Sequence, residues 1–488
     1  MTHFSWLDYA IFGGYFVVTA GVGLLAGGKQ KTLSSYFLAD RGVNRYVVAM
    51  TVLAALFSGI SYLAGPAEVY KNGVAFSLVL MSFFIATPLT AIFLLPHFYQ
   101  SRFFTAYHFF QERFGLSVRL LASGLFILRV SLWLGAATFA PALALKAVTG
   151  LPLTFTILCT GLVSTLYTMK GGMKAVIWTD VLQLGVLFGG QLLIVMIAVG
   201  KIKGGFGGVW VSALAGHKLD ISFSFDPHVR VTFWSAMIGG TFLNLVQMAT
   251  DQVSVQRYLT AGSLKEAQRA LWIKLWMFLP VFVVFYGTGL VLYAFYREHG
   301  DPMAAGLITR DDQILPYFVI TQLPAGVPGM LIAAIFAASM STVSAGVNSL
   351  TSATMCDFYQ TLGKGEPMSE AGLVRRARWW TLIYGVLVTA LAFVIAAFEK
   401  NLVESVNTII GLIGGPMLGL FLLGMFTKRA DERGAIIGCI AGLVCSLYLI
   451  TADTGISFLW FTLIAALVTM AVGVLTSGRS GKLSARHQ

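Results

Sequence analysis

Two ionisable side chains lie deep inside apolar stretches of this sequence. Arg129 stands about ten residues into a run that begins near Arg119, and Asp180 stands in Val176-Ile177-Trp178-Thr179-Asp180-Val181. A guanidinium stays charged and offers a planar fork suited to a carboxylate; a carboxylate accepts hydrogen bonds or coordinates a cation. At the centre of a membrane helix either group costs about 2.5–3.5 kcal/mol, so each requires a partner or a function. Each also has a plainer reading: Arg129 snorkels to the interface, and Asp180 sits within it. A third set is hydroxyl-rich, Ala337-Ala338-Ser339-Met340-Ser341-Thr342-Val343-Ser344-Ala345. Ser341 and Ser344 are three apart and share one helix face. Hydroxyls and backbone carbonyls there suit a hard cation such as sodium, although such hydroxyls also bond back to their own carbonyls.

Two further stretches do not read as simple helices. One carries Leu56-Phe57-Ser58-Gly59-Ile60-Ser61 and then Gly65-Pro66; the other carries Gly239-Gly240, Asn244, Gln247, Thr250, Asp251 and Gln252. Unwound backbone survives in a bilayer only where protein or a water-filled cavity satisfies its polar groups. Broken helices at corresponding places in two halves mark the binding site of a transporter, where freed carbonyls meet cations. Close packing of small residues is the alternative. Ser58, Ser61, Phe76, Trp133, Asn244 and Gln247 face the break and, with Arg129, are the solute-binding candidates.

Other chemistry is excluded. Gly21-Val22-Gly23 with Gly27 approaches a dinucleotide fingerprint but has no strand before it. The seven histidines form no HExxH pair and no nucleophile elbow appears, so no enzyme is expected. Cys159, Cys356, Cys439 and Cys445 have no metal-ligand spacing and read as small buried hydrophobes.

The elements that must position these residues are membrane helices. Of 488 residues 57% are hydrophobic and 11% charged, with a mean hydropathy of +0.80, against about 25% charged in a soluble domain. Thirteen spans are predicted, beginning near Leu7, Val47, Gly73, Arg119, Leu153, Ala175, Val231, Ala270, Gly329, Arg378, Val406, Gly434 and Ile456. The net charge of +12 is spread through loops rather than gathered on one face, which argues against a nucleic-acid partner. Lys and Arg fall mostly on one side, including Lys29, Arg102, Arg119, Arg257, Lys364 and the tail from Ser477 to Gln488. The positive-inside rule then places the N-terminus outside and the C-terminus in the cytoplasm. The first span lacks a charged n-region and is read as retained. The polar stretches Lys201–Arg230 and Arg297–Pro324 are too short for a separate domain, so residues 1–488 are read as one transmembrane domain.

Five segments resemble the sodium/solute symporter family: Phe139–Leu145 (FAPALAL), Lys174–Gln183 (KAVIWTDVLQ), Val255–Tyr258 (VQRY), Ala333–Leu350 and Gly411–Phe426. The family includes sodium-coupled monocarboxylate, multivitamin and iodide carriers and bacterial sialic acid carriers. The resemblance implies an all-α, LeuT-type five-plus-five inverted repeat, here about 47–200 and 231–427. It implies a main sodium site from Ala54, Phe57, Ala338, Ser341 and Thr342, and a second from Asp180, Ser341 and Ser344, where Ala345 replaces one expected hydroxyl. It places Trp133 where a related carrier grips the substrate carboxylate, with Arg129 one turn away. The implied activity is sodium-coupled import of a small organic anion, a monocarboxylate or sialic-acid-like sugar acid, by a monomer in the cell's inner membrane, with lipid around it. A neutral solute such as a sugar or proline is the alternative; a channel or a membrane sensor belongs to another class, and the sequence shows neither a continuous charged path nor a signalling domain.

Overall fold

The computed structural model describes residues 5–28, 30–99, 104–363, 368–397, 400–452 and 454–478. Lys29, Arg102, Lys364 and the basic tail from residue 479, all counted in the topology reading, lie outside these. The helices that carry the argument are α1 (Trp6–Gly27), α2 (Arg45–Ala54), α3 (Gly59–Asn72), α4 (Val74–Tyr99), α5 (Leu116–Thr149), α6 (Leu153–Gly200), α7 (235–250), α8 (Gln252–Tyr258), α9 (Leu264–His299), α10 (Val327–Leu362), α11 (Glu370–Ala397), α12 (Lys400–Phe426), α13 (Glu432–Thr451) and α14 (Phe458–Thr476). Among the described residues nine helices are long and apolar enough to cross a membrane, or ten with the bent pair α2 and α3 taken together. The protein is an all-helical, multi-pass membrane protein.

The two predicted breaks are present. Helix α2 stops at Ala54, and α3 restarts at Gly59 with its axis turned by 65°. Ser58 is extended (φ −98°, ψ 167°) and its Oγ accepts from the Ser61 N–H at 3.2 Å, capping α3. A Cβ on Gly59 would run into Ser339 Oγ and the ring of Pro141, so only glycine lets the break approach α10 and α5 this closely. Helix α7 contains two widened, π-type stretches at 235–239 and 246–250, a departure that recurs at functional sites. It ends at Asp251, whose backbone is extended (φ −91°, ψ 119°) and whose Oδ1 accepts from the Val253 N–H at 2.9 Å, capping α8.

Helix α6 runs for 48 residues, about 72 Å if straight, far beyond the roughly 30 Å of a hydrocarbon core. Gly172 (φ 57°, ψ −147°) divides it into two helices, which match the predicted spans starting at Leu153 and Ala175. The predicted outer stretches are not plain loops: they contain the short helices Gly205–Ala215 and Ile314–Gln322. Helix α10 is the centre of the molecule, buried at almost every residue from Leu331 to Ala353 and packed on α1, α3, α5, α6 and α11. Asp8 Oδ1 accepts from the Gly326 and Gly329 N–H groups at 2.9 and 2.8 Å, placing a carboxylate at the electropositive start of α10.

Candidate functional site

At the break between α2 and α3 lies a cavity of about 730 Å³. All seven solute-binding candidates line it: Ser58, Ser61, Phe76, Arg129, Trp133, Asn244 and Gln247. Phe83, Phe278, Phe285 and Tyr286 complete an aromatic wall. Asn244 Nδ2 donates to the Val79 carbonyl and to Ser82 Oγ, both at 2.9 Å. Its nitrogen is therefore committed to α4, and the amide oxygen is left as an acceptor. Ala64 and Glu68 are shared with a second, polar cavity of about 680 Å³. There Glu68 accepts from Arg230 at 2.7 and 3.2 Å, and Lys71 pairs with Asp311 at 2.6 Å.

Arg129 and Asp251 meet on the cavity wall. Arg129 Nη2 donates to Asp251 Oδ2 at 2.7 Å, with side chains 11% and 12% exposed. The guanidinium expected to take a solute carboxylate is thus held by a carboxylate of the chain itself, the ion-pair alternative to snorkelling.

The residues expected at the main sodium site fall together around the break. Phe57 and Thr342 line the same cavity, Ala54 ends α2, and Ala338, Ser341 and Thr342 occupy about one turn of α10. Thr342 Oγ1 donates to the Ala338 carbonyl at 3.0 Å. Thr342 Oγ1 keeps its own acceptor lone pairs, whereas the Ala338 carbonyl, inside the helix, already takes the Thr342 N–H as well as this hydroxyl. Among the described residues no three His, Cys, Asp or Glu side chains gather as a metal site.

The second expected set comes only partly together. Ser341 Oγ donates to Asp180 Oδ1 at 2.6 Å, but Ser344 Oγ donates to the Ser341 carbonyl at 3.1 Å instead of reaching the carboxylate. The other side of Asp180 is filled by Arg257: Nη2 donates to Oδ2 at 2.9 Å, Nε donates to Thr51 Oγ1 at 3.0 Å, and Thr51 Oγ1 donates to Oδ2. Arg257 Nη1 donates to the Val253 carbonyl at 2.7 Å. Arg257, counted from the sequence among cytoplasmic loop charges, is 1% exposed.

Three more buried charges escaped the sequence reading. Arg119, also counted as a loop charge, donates through Nε to Asp357 Oδ1 at 2.8 Å, and Thr105 and Ser123 donate to the same carboxylate. Lys274 on α9 is 0% exposed. Its Nζ is 3.5 Å from Thr87 Oγ1 and 4.1 Å from the Phe83 ring centroid; among the described residues no carboxylate pairs with it. A lysine inside Leu271-Trp272-Ile273-Lys274-Leu275-Trp276 carries the same signal that singled out Arg129.

The profile of the sodium:solute symporter family matches residues 36–442. This chain belongs to that family. As a sodium:solute symporter it is a transporter rather than an enzyme, and sodium is its coupling ion. It is 34% identical over 450 residues to human sodium-coupled monocarboxylate transporter 1, covering 90% of this chain and 72% of that one. It is 35% identical over 457 residues to the rabbit sodium-dependent multivitamin transporter, covering 91% and 70%. Among solved structures, a substrate-bound, outward-open Na+-coupled sialic acid symporter superposes with a TM-score of 0.88 at 29% identity, covering 97% of this chain and 98% of that one.

Proposed function

We propose that this symporter imports a small organic anion, a monocarboxylate or a sialic-acid-like sugar acid, together with sodium. One observation carries the reading: a guanidinium, Arg129, lines the central cavity within a few residues of Trp133 and opposite Ser58, Ser61, Asn244 and Gln247. The carboxylate then meets the fork of Arg129, its polar substituents meet the serines and amides, and its carbon frame meets Phe76 and the aromatic wall. Sodium binds Ala54, Phe57, Ala338, Ser341 and Thr342 and ties the break to α10, favouring the state open to the polar vestibule. Solute then completes the cavity, and the molecule rocks to release both on the other side. The similarity to monocarboxylate, multivitamin and sialic acid carriers supports an anionic solute.

The architecture we infer has thirteen spans. Taking α2 with α3 as one, α6 as two and α7 with α8 as one reaches that number, and the breaks in the second and seventh spans fit a five-plus-five inverted repeat over about 47–200 and 231–427 in a single domain. The charge asymmetry supports an external N-terminus and a cytoplasmic C-terminus, in the inner membrane and as a monomer. Asp180 is neutralised by Arg257 and Ser344 turns away from it, which supports one sodium per solute rather than two.

A neutral solute is favoured by one observation, the internal neutralisation of Arg129 by Asp251. Sodium-driven uptake in proteoliposomes distinguishes the readings. Uptake of labelled L-lactate or N-acetylneuraminate, competed by other anionic carboxylates and not by galactose, is expected; the opposite pattern assigns a neutral solute. A thermal-shift screen with and without sodium narrows the solute further, because a ligand of the native state raises its stability by mass action.

A further inference from the structure

We propose that Asp251 is an internal competitor for the solute carboxylate: it occupies Arg129 in the empty carrier, and its displacement by a carried anion releases the hinge between α7 and α8. The inference rests on the anionic reading above and adds the residue that separates anions that are carried from solutes that are merely bound.

The hydrogen bonding of Arg257 and Arg129 differs. Arg257 uses Nε, Nη1 and Nη2 on three partners, Thr51, Val253 and Asp180. Among the described residues Arg129 makes one hydrogen bond, Nη2 to Asp251 Oδ2, a small part of what its five-donor fork can make, and it lines the cavity. A carboxylate arriving in the cavity finds that open fork and forms the bidentate pair that a guanidinium prefers. One-point contact with Asp251 cannot compete equally with it.

Asp251 is placed so that losing this bond has a mechanical result. Its Oδ1 and carbonyl cap α8, through the Val253 N–H at 2.9 Å and the Ser254 and Val255 N–H groups at 3.0 Å. Its backbone is the non-helical joint at which α7 ends. The ion pair therefore ties the joint to α5. Beyond it, α8 is held by Gln252 to the Phe104 carbonyl and by Gln256 to the Phe37 carbonyl, both at 2.8 Å. Freeing Asp251 removes the charged tether between the start of α8 and the cavity wall, while the far end of α8 stays anchored by Arg257 to Asp180 and by these neutral hydrogen bonds.

Charge accounting links this exchange to sodium. The empty cavity holds Arg129 and Asp251 in balance. An added carboxylate leaves one uncompensated negative charge, which is costly at low dielectric, and one sodium at the break restores neutrality. A neutral solute disturbs neither the pair nor the balance.

The test uses the full-length protein in lipid nanodiscs with sodium, L-lactate as the anion and lactamide as its neutral counterpart. Asp251→Asn retains size and helix-capping ability while removing the charge. Lactate is expected to bind it about ten-fold more tightly, since no fraction of Arg129 is pre-occupied. Lactamide affinity is expected to stay unchanged, and the amides of α8 are expected to exchange hydrogen faster with no ligand present. In the unsubstituted protein lactate, and not lactamide, is expected to accelerate that exchange. Wild-type lactate affinity together with wild-type protection of α8 in Asp251→Asn overturns the proposal. If Asp251→Asn does not fold, Arg129→Gln frees Asp251 from the other side, and unchanged α8 exchange there overturns it equally. If lactate does not bind the unsubstituted protein, the monocarboxylate reading falls, while the ligand-free α8 exchange of the variants still decides whether Asp251 is a latch.

Discussion

Asp180 on α6 and Arg257 on α8 lie 2.9 Å apart with neither side chain reaching solvent. Thr51 bridges them and Ser341 supplies a second donor to the carboxylate. Three helices and the turn of α10 that we propose binds sodium thus converge on one buried ion pair. A buried pair adds little net stability relative to apolar residues, but removing one partner strands a charge at a cost of about 3–5 kcal/mol. The guanidinium therefore meets the charge of Asp180 that a second sodium would otherwise meet.

The first prediction follows from that pairing. Asp180→Asn and Arg257→Gln each lower the melting temperature and the yield of folded protein, and the double variant recovers part of the loss. Thermal unfolding of all three in detergent measures the coupling. Additive losses would mean that the pair does not interact as its geometry indicates.

A second prediction concerns the main sodium site. Ser341 also serves Asp180, so its removal mixes two effects, whereas among the described residues the Thr342 hydroxyl bonds only to the Ala338 carbonyl within its own helix. Thr342→Ala removes one hydroxyl ligand, worth about 1–3 kcal/mol toward a charged partner, roughly ten-fold in sodium affinity. Thr342→Ser restores it. The sodium dependence of uptake reads this out, and an unaltered half-saturating sodium concentration in Thr342→Ala refutes the assignment. Ser341→Ala combined with Thr342→Ala is expected to abolish sodium-dependent uptake altogether.

Stoichiometry gives a third. Reversal-potential measurements in proteoliposomes are expected to give one sodium per solute. Ala345→Ser, which adds back the hydroxyl that a second site would use, is expected to leave the ratio unchanged because Arg257 already compensates Asp180. A ratio of two in either protein would show sodium sharing the carboxylate with the guanidinium.

How much of this was legible in the sequence depended on whether a residue's environment is set locally. The breaks were legible, because Ser58-Gly59 and Thr250-Asp251 mark helix ends by their own conformational preferences. The boundary between the fifth and sixth spans was legible as a new start near Ala175, close to the joint at Gly172, although the chain stays helical almost up to it. That Ser58, Ser61, Asn244 and Gln247 would share one cavity was legible because they stand near those breaks. Partners were not legible. Arg257 and Asp180 are 77 positions apart, and nothing local distinguishes a loop arginine at a helix end from one folded inward. Ser344 was grouped with Asp180 by the family resemblance, but its hydroxyl donates to a carbonyl one turn back. Arg119 and Arg257 were read as topology signals because both stand near span ends, where the positive-inside rule expects cations.

The last prediction concerns Lys274. Its amine is surrounded by Phe83, Phe278 and Thr87, with no carboxylate among the described residues to offset its charge. Contact with an aromatic face contributes about 2 kcal/mol when desolvated, less than the roughly 2.5–3.5 kcal/mol that a lysine costs at a helix centre. A residue serving packing alone is therefore better replaced by methionine, which is of similar length and uncharged. Lys274→Met is expected to unfold at the same or a higher temperature than the unsubstituted protein and to keep its sodium affinity. Phe83 and Phe278 line the solute cavity, so the amine lies directly behind its wall. Measuring solute affinity and uptake rate in the same variant then separates two roles. Unchanged transport makes Lys274 a buried packing residue, whereas intact folding and sodium binding with lost uptake show that the amine reaches the solute path during the transport cycle.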